Sequence, residues 1–235
     1  MTLRVAENID RIRETIERSC QRSGRKSSSV VVYAVAKGVE PERIREAVET
    51  GIHEIGENRL QEAERKMVHL SGSPIRWHFI GRLQTNKVKK VIELFHSVQS
   101  LDAHKQALVI EKHLDRFGMV SYPVLLQVNL TGSQNQGGVA AEEVIPFLEK
   151  LQDIPPIRVT GLMTIAPFVG TESLVRGCFQ RLRDLLEKVN RMRVTGDHPL
   201  RELSMGMSDD YALAVEEGAT IVRLGRVLFG ERSIL

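Results

Sequence analysis

Short strand-like segments alternate with helical segments along almost the whole chain, and this alternation restricts the fold more than any other feature. Eight segments have the length and character expected of strands: VVVYAVAK, IHEIGE, WHFIG, HSVQS, PVLLQVNL, IRVTGLMTI, RELSMGM and ATIVRLG. A segment with helical character separates each strand from the next. Regular alternation of this kind predicts parallel strands joined by crossover helices, and therefore an α/β protein.

The number of units indicates that the sheet closes on itself. Eight units in 235 residues fit a single (β/α)8 TIM barrel, which typically has about 250 residues. An open Rossmann-like sheet is the alternative, but the chain contains neither GxGxxG nor GxxxxGK[ST]. Isoleucines at helical spacing predict an additional helix at about 3–22. We therefore expect one domain over 1–235, with its barrel at about 30–232.

Charge and composition argue against several classes of protein. The 33 Lys and Arg residues are nearly balanced by 30 Asp and Glu residues, whereas nucleic-acid-binding proteins concentrate their basic residues on one surface. No apolar run reaches the roughly 18 residues of a membrane span. The N-terminal segment has acidic residues among its arginines and no apolar run, so it resembles neither a secretory signal nor a transit peptide. We therefore expect a cytoplasmic protein that binds neither nucleic acid nor membranes.

The cysteines and the paired aspartates do not indicate a metal site. Cys20 and Cys178 are the only cysteines. They lie in helical patterns without metal-ligand spacing, which is typical of free thiols in a reducing compartment. Asp209 and Asp210 precede a predicted helix, where carboxylates commonly act as N-terminal caps. We expect no bound metal.

A lysine ends the first predicted strand, and the carboxyl ends of barrel strands carry the functional residues of this fold. Lys37 follows VVYAVA directly. A partly desolvated amine at the barrel mouth keeps a larger neutral fraction, which can attack an aldehyde to form a Schiff base. The alternative is a lysine that only reaches solvent at the strand end. The position in the strand does not decide between the two.

The last two units contain residues suited to phosphate. Ser204 and Ser208 flank Gly206 before a predicted helix, whose N-terminal amides favour an anion. Gly225 permits close approach of a phosphate to the backbone, and Arg226 adds a positive charge. The loops after strands seven and eight often form the phosphate site of such barrels. Together these residues predict a phosphate site.

Arg223 lies within the last apolar strand. A buried guanidinium needs a partner unless it faces the barrel mouth. Arginine is one of the residues that pair with the ring nitrogen of pyridoxal phosphate (PLP). Because arginine stays protonated, it donates to an unprotonated pyridine nitrogen. Lysine, phosphate site and ring-nitrogen partner together indicate a PLP site.

The order of the motifs resembles that of one family. The stretches AVAK, GENRLQE, WHFIGRLQTNK, HSVQS, QVNL, GLMTI and LSMGMSDDYALAVEEGATIVRLGRVLFGER occur in order over about residues 30–232. In this combination the chain resembles the YggS/PROSC family, the pyridoxal phosphate homeostasis proteins. The resemblance implies a PLP-binding barrel of fold type III, like the N-terminal domain of alanine racemase.

The resemblance also implies roles for particular residues. PLP is then an internal aldimine on Lys37, Asn58 lies beside the cofactor, and His78 and Gly81 lie at the mouth. Arg223 meets the ring nitrogen. The residues assigned to the phosphate are Ser204, Gly206, Ser208, Gly225 and Arg226.

The chain departs from the family pattern at three positions. Ala36 stands where relatives commonly have serine, Gln136 stands where many have a basic residue, and Arg226 stands where a small hydroxyl residue is frequent. The changes at Ala36 and Arg226 put individual side-chain contacts in doubt rather than the backbone loop. Gln136 lies in the loop after the fifth predicted strand. The change there puts in doubt the role of the basic residue in that loop, including any secondary cofactor site.

The resemblance implies intracellular PLP homeostasis without a defined catalytic turnover, a monomer, and PLP-dependent apoenzymes as acceptors. The alternative is a weak amino-acid racemase or α-proton exchange enzyme, with Lys37 on one face of the substrate and His78 or water on the other. Alanine racemase uses a tyrosine from a second domain and partner subunit for that face. This chain ends at Leu235, directly after the eighth unit, so we expect no such domain. An unrelated phosphate-binding barrel enzyme is the third hypothesis.

Overall fold

The computed structural model describes residues 5–133, 135–167 and 170–230, and its strands form a closed parallel barrel. The strands are β1 (Val31–Val35), β2 (Glu54–Glu57), β3 (Arg76–Phe79), β4 (Ser97–Leu101), β5 (Tyr122–Asn129), β6 (Val139–Ala140), β7 (Ile157–Met163), β8 (Glu202–Ser204) and β9 (Ile221–Leu224). The ring runs β1-β2-β3-β4-β5-β7-β8-β9, and β9 pairs with β1 to close it. The short β6 pairs with β5 beside the ring. The predicted TIM barrel is confirmed, whereas the assignment of 1–235 to one domain stays a prediction.

Helices follow the barrel strands, as the alternation predicts, and one further helix, α1, precedes the first strand. They are α1 (Val5–Arg22), α2 (Pro41–Glu49), α3 (Leu60–His69), α4 (Val88–Leu94), α5 (His104–Leu114), α6 (Val144–Leu151), α7 (Glu172–Arg191), α8 (Tyr211–Glu216) and α9 (Arg226–Phe229). The ends of the predicted helix 3–22 and barrel 30–232 lie partly outside the described residues. Among the described helices, none has the length and apolar character needed to cross a membrane.

The barrel wall divides the apolar residues into two clusters. The larger cluster lies between the strands and the surrounding helices. The smaller one lies inside the barrel and contains Tyr33, Leu125, Met163 and Ile221. In β1, for example, Tyr33 belongs to the inner cluster while Ala34 belongs to the outer one. Burial on both faces explains why these segments lack the polar alternation of a half-exposed strand.

The additional helix α1 packs against the last units of the barrel. Its isoleucines are buried, and Asn8 Nδ2 donates a hydrogen bond of 2.9 Å to the Leu228 carbonyl in α9. Just after α1, the Arg25 guanidinium donates to the Ala219 carbonyl at 2.8 Å. These contacts join the first helix to the end of the chain.

Some elements are shorter than the sequence predicts. A strand is expected over RELSMGM, but β8 ends at Ser204, because Gly206 has a φ of +92° that extended backbone does not adopt. The helices predicted from about Thr85 and Ala140 begin with single 3₁₀ turns. β6 has two residues and α9 has four. Elements this short show no periodic pattern in the sequence.

Gly161 lies in β7 where this strand runs beside β8. A Cβ atom at Gly161 would overlap the Glu202 carbonyl group and would lie 2.6 Å from Glu202 Cβ. The pairing of β5 with β7 also shifts register between Val124 and Leu125. The barrel wall at this position therefore has room only for glycine.

We expect Gly161→Ala to lower the free energy of unfolding by about 1 to 3 kcal/mol, because the new methyl group must displace backbone. Gly177→Ala is the matched control: a Cβ atom added there, in the middle of α7, would have no atom within 4 Å. It should raise stability by about 0.5 to 1 kcal/mol, because alanine favours helix. Urea unfolding followed by circular dichroism measures both. Equal stability of Gly161→Ala and wild type would contradict the close packing of β7 on β8.

Candidate functional site

Closure of the ring brings the carboxyl ends of all the barrel strands to one end, which we call the mouth. Residues that the sequence predicts for a site and that follow these strand ends are Lys37, Asn58, Gly81, Gly206, Ser208, Gly225 and Arg226. Backbone contacts join neighbouring members. Arg223 N donates to the Gly206 carbonyl at 3.0 Å, and a Cβ at Gly225 would lie 3.5 Å from the Val35 carbonyl oxygen.

Lys37 lies in a tight turn just beyond β1. The Ala36 carbonyl accepts a hydrogen bond of 2.9 Å from Val39 N, and Gly38 has a φ of +67° that favours glycine. The Lys37 side chain is half-buried. The turn therefore presents the amine at the mouth without placing it fully in solvent, which agrees with the expected position.

A buried charged cluster supports this turn from behind. Lys66 Nζ contacts the Ala36 carbonyl and Glu62 Oε1 at 2.5 Å each, and Glu57 Oε1 at 3.2 Å. Glu62 Oε1 also accepts from Gly38 N. We call Glu57, Glu62 and Lys66 the Lys66 cluster. It connects β2 and α3 to the turn that carries Lys37.

Burial raises the pKa of the Glu57 carboxyl, and Lys66 opposes only part of that shift. In Glu62, burial also acts to raise the pKa, but hydrogen bonds from Lys66 and Gly38 lower it overall. Sequence reasoning missed this cluster. The four-residue spacing of Glu62 and Lys66 on α3 is a signal for an ion pair, but nothing in the sequence indicates that Glu57 joins them.

Asn58 follows β2 and has an unusual environment. Its Oδ1 atom is buried and has no hydrogen-bond partner among the described residues. Gly81 lies against the Asn58 backbone, where a Cβ would come within 2.8 Å of Asn58 Cα. Only glycine permits this approach of the loop after β3. Buried polar atoms are nearly always satisfied, so Asn58 Oδ1 is suited to accept a hydrogen bond from a ligand.

Arg223 is 5% exposed and lies in β9. Nη1 donates to Ser204 Oγ at 2.6 Å, and Nη2 donates to the Thr164 carbonyl at 2.8 Å. Burial lowers the pKa of Arg223 to about 10, while the nearby Asp210 charge acts to raise it. The guanidinium is therefore protonated at neutral pH. Two of its five N–H groups are used by these contacts, and others can bind a ligand.

The structure does not support a phosphate role for Ser204. The side chain is fully buried, and its hydroxyl accepts from Arg223 and donates to Gln99 Oε1 at 2.8 Å. As the last residue of β8, Ser204 points into the barrel rather than into the loop. It holds Arg223 instead of facing an anion at the loop.

Ser208, Gly225 and Arg226 lie around the start of α9. Ser208 Oγ accepts from Val227 N at 3.2 Å, so its O–H remains able to donate. Arg226 is exposed and forms an ion pair with Asp209. The first N–H groups of a helix have no acceptor within the helix. The loop thus offers a hydroxyl and backbone donors, while the Arg226 charge is already paired.

Gly206 and Asp210 shape the preceding loop. A Cβ at Gly206 would lie 2.5 Å from Ala214 Cβ, so glycine is needed for packing as well as for its φ. Asp210 accepts a hydrogen bond of 2.6 Å from Met207 N, and burial raises the pKa of its carboxyl. The predicted capping of α8 by aspartate is wrong, because Asp210 occupies the N-cap position without a side-chain bond to the helix.

His78 does not lie at the mouth as expected. Its Nε2 donates to Glu54 at 2.5 Å, and Nδ1 shares a hydrogen bond of 2.7 Å with Ser97. Glu54 and Ser97 are the first residues of β2 and β4, at the end of the barrel away from the mouth. Its ring stacks on Tyr33 with centroids 4.3 Å apart. Burial raises the pKa of Tyr33. In Glu54, burial acts in the same sense, but hydrogen bonds from His78 and Arg76 lower the pKa to about 2.

Gln136 occupies the loop after β5 and is well held. Its Nε2 donates to the Ile165 carbonyl at 2.7 Å, and its Oε1 accepts from Thr131 at 2.8 Å. A cavity of about 560 Å³ lies beside it, lined by Ile80, Arg82, Gln127 and neighbouring loop residues. Gln136 therefore links the loops after β5 and β7.

Among the described residues, no group of three His, Cys, Asp or Glu side chains is placed to hold a metal ion.

We expect Lys66→Met to lower the free energy of unfolding by about 3 kcal/mol at pH 7.5, because it leaves Glu57 buried and uncompensated. Lys66→Met with Glu57→Gln should recover much of this loss. Lys90→Met is the control, since its ion pairs with Glu64 and Glu93 are exposed and should contribute less than about 1 kcal/mol. Denaturant unfolding measures the free energy of unfolding of the wild type and of the three variants.

The deficit of Lys66→Met should shrink as the pH falls to 5. A carboxyl whose pKa is higher in the folded state than in the unfolded state binds more protons when folded, so acidification favours folding. Burial raises the pKa of Glu57, and loss of Lys66 removes the group that opposes this. A deficit that grows on acidification would contradict the assignment of Glu57 as the uncompensated charge.

Comparison with known proteins identifies the family. Residues 5–233 match the family model of the alanine racemase N-terminal domain. The chain is 40% identical to the pyridoxal phosphate homeostasis protein of Aquifex aeolicus, covering 98% of this chain and 99% of that one. It is 38% identical to the protein of the same name from Pseudomonas aeruginosa, with coverage of 97% and 96%.

A solved structure agrees with this relationship. PipY of Synechococcus elongatus, in a structure with PLP bound, is 33% identical and superimposes with a TM-score of 0.83 over 96% of this chain and 100% of that chain. Similarity at this identity extends over the barrel and α1 together. The chain therefore belongs to the family of the pyridoxal phosphate homeostasis proteins, whose fold is that of the alanine racemase N-terminal domain.

Proposed function

We propose that this protein binds pyridoxal 5'-phosphate at the barrel mouth and serves PLP homeostasis in the cell. One observation carries the proposal: the half-buried Lys37, the buried Arg223 guanidinium and Asn58, whose Oδ1 has no partner among the described residues, lie at or just beyond the carboxyl ends of three strands of one barrel. The names of the relatives and the PLP-bound structure of PipY support it.

The residues present fit the cofactor. Lys37 would supply the amine, and Arg223, protonated at neutral pH, would donate to the pyridine nitrogen. Asn58 Oδ1 needs a donor, which a hydroxyl group of the ligand can provide. When bound, PLP supplies an aldehyde carbon that Lys37 can attack, with loss of water, and an electron-withdrawing ring.

For the phosphate we propose the Ser208 hydroxyl and the backbone N–H groups of Gly225 and Arg226. Ser208 Oγ keeps its hydrogen available, and the N–H groups at the start of α9 lack helical acceptors. The Arg226 side chain is the less suitable group, because Asp209 already pairs with it. Ser204 is assigned to Arg223 rather than to the phosphate.

We propose that the protein binds PLP without catalytic turnover. A racemase needs an acid or base on each face of the substrate carbanion. His78, the candidate for the second face, has both ring nitrogens engaged by Glu54 and Ser97 and lies below the mouth. This supports a binding role over the racemase alternative.

We propose PLP-dependent apoenzymes as the acceptors, because they are the proteins that use the cofactor. We also propose that the protein acts as a monomer in the cytoplasm. The large apolar side chains that are exposed lie on different elements, among them Val68 on α3, Leu108 on α5 and Leu174 on α7. The distribution of exposed apolar side chains over several of the described elements supports a monomer over a dimer that uses one apolar patch. Light scattering tests the monomer, and reconstitution of an apoenzyme from the loaded protein tests the transfer.

We expect purified wild-type protein incubated with PLP to show a visible absorption band, and borohydride reduction to fix the label on Lys37. Lys37→Ala should lose the band, because no other amine replaces Nζ at that position. Lys105→Ala removes an exposed lysine on α5 and should behave as wild type. Absorbance and peptide mass spectrometry provide the measurements. A wild type that takes up no PLP would refute the proposed function.

The absence of turnover has a separate test. Loaded wild-type protein and L-alanine are incubated in D₂O, and the α-proton and the enantiomer ratio are followed by NMR and chiral chromatography. We expect no inversion at turnover rates, because both ring nitrogens of His78, the candidate base for the second face, are engaged by Glu54 and Ser97. Inversion at such rates would make the racemase hypothesis the correct one.

A further inference from the structure

A hydrogen-bonded chain crosses the barrel interior and ends at Arg223. Arg223 Nη1 donates to Ser204 Oγ at 2.6 Å, and Ser204 Oγ donates to Gln99 Oε1 at 2.8 Å. Gln99 lies in β4, and β5 and β7 separate β4 from β8 in the ring. The hydrogen bond from Ser204 to Gln99 therefore spans the interior instead of joining adjacent strands.

The chemistry of the three groups determines the direction of this chain. Guanidinium N–H groups only donate, so the Ser204 oxygen accepts from Arg223. The single hydroxyl hydrogen of Ser204 is then directed to Gln99 Oε1. Gln99 is therefore the acceptor that orients the Ser204 hydroxyl.

Burial makes the chain important for the position of the guanidinium. Gln99 is 1% exposed and Ser204 is fully buried, so water does not readily replace a lost partner. The other contact of Arg223 is from Nη2 to the Thr164 carbonyl. Two contacts on different nitrogens hold the guanidinium plane, and loss of one lets it rotate about the other.

We propose that Gln99 is a positioning residue for the cofactor: through Ser204 it orients the Arg223 guanidinium toward the pyridine nitrogen of PLP. This inference rests on the proposed function, because it requires PLP at the mouth. Gln99 and Ser204 are both neutral, so this chain holds the guanidinium without neutralising its charge. A carboxylate at position 99 would reduce the positive charge that faces the ring nitrogen.

The test compares Gln99→Met and Ser204→Ala with Gln106→Met. Gln106 is the matched control, since it is also a buried glutamine with a hydrogen-bonded amide, but it lies on α5 and donates to the Leu83 carbonyl at 2.9 Å. Each full-length protein is titrated with PLP. The dissociation constant, the visible absorption maximum and the induced circular dichroism of that band are measured from pH 6 to 9.

We expect Gln99→Met and Ser204→Ala each to weaken PLP binding about tenfold, the equivalent of one hydrogen bond to a charged group. Both should move the visible band in the same direction, and the double variant should add little, because the two side chains act through one chain. Gln106→Met should lower thermal stability but leave the spectrum unchanged. If Gln99 had only a structural role, Gln99→Met would behave like Gln106→Met, with lower thermal stability and an unchanged spectrum.

A wild-type dissociation constant and spectrum for Gln99→Met overturn the proposal, as does an effect confined to Ser204→Ala. Where Gln99→Met fails to fold, Ser204→Ala carries the test, and an unchanged spectrum there overturns it. Failure of the wild type itself to take up PLP refutes the proposed function instead. The two failures are therefore distinguishable.

Discussion

Pairing of β1 with β9 is the interaction on which the site depends. The two strands lie in parallel register with Tyr33 opposite Arg223 and Ala34 opposite Leu224. This closes the ring and brings the turn that carries Lys37 beside Gly225, although these residues come from opposite ends of the chain. If the sheet were open between β1 and β9, these two strands would not be neighbours, and Lys37 would not lie near Arg223 and Gly225.

The interior of this barrel is unusually polar for a structure whose centre is normally filled by branched apolar side chains. Tyr33, His78, Gln99 and Arg223 all project into it, and each has a partner from another strand. Satisfied networks of this kind are stable, whereas a missing partner is costly. Asn58 Oδ1 at the mouth is therefore informative, because it is buried and has no hydrogen-bond partner among the described residues, in contrast to these four side chains.

Sequence reasoning predicts the features that depend on local periodicity and fails where contacts cross the barrel. Strand ends locate Lys37 and Asn58 correctly, because parallel strands place their carboxyl ends together. Ser204 also lies at a strand end, as predicted. The position alone does not indicate that its hydroxyl contacts Gln99, which lies on a distant strand. His78 is misplaced for the same reason: its partners begin other strands. Residues paired across a ring carry no spacing signal in one sequence.

The residues behind Lys37 and behind Arg223 support these two side chains in different ways. Behind Lys37, Lys66 is compensated by two carboxylates, so a buried ion cluster holds the turn that carries Lys37. Behind Arg223, the direct contacts are the neutral Ser204 and the Thr164 carbonyl, with Asp210 as the nearby charge. A guanidinium that has to stay charged and donate is best held by neutral acceptors, because a bidentate carboxylate would occupy the same N–H groups. Ion pairs thus hold the turn that carries Lys37, whereas neutral contacts hold Arg223 and leave its other N–H groups free to donate.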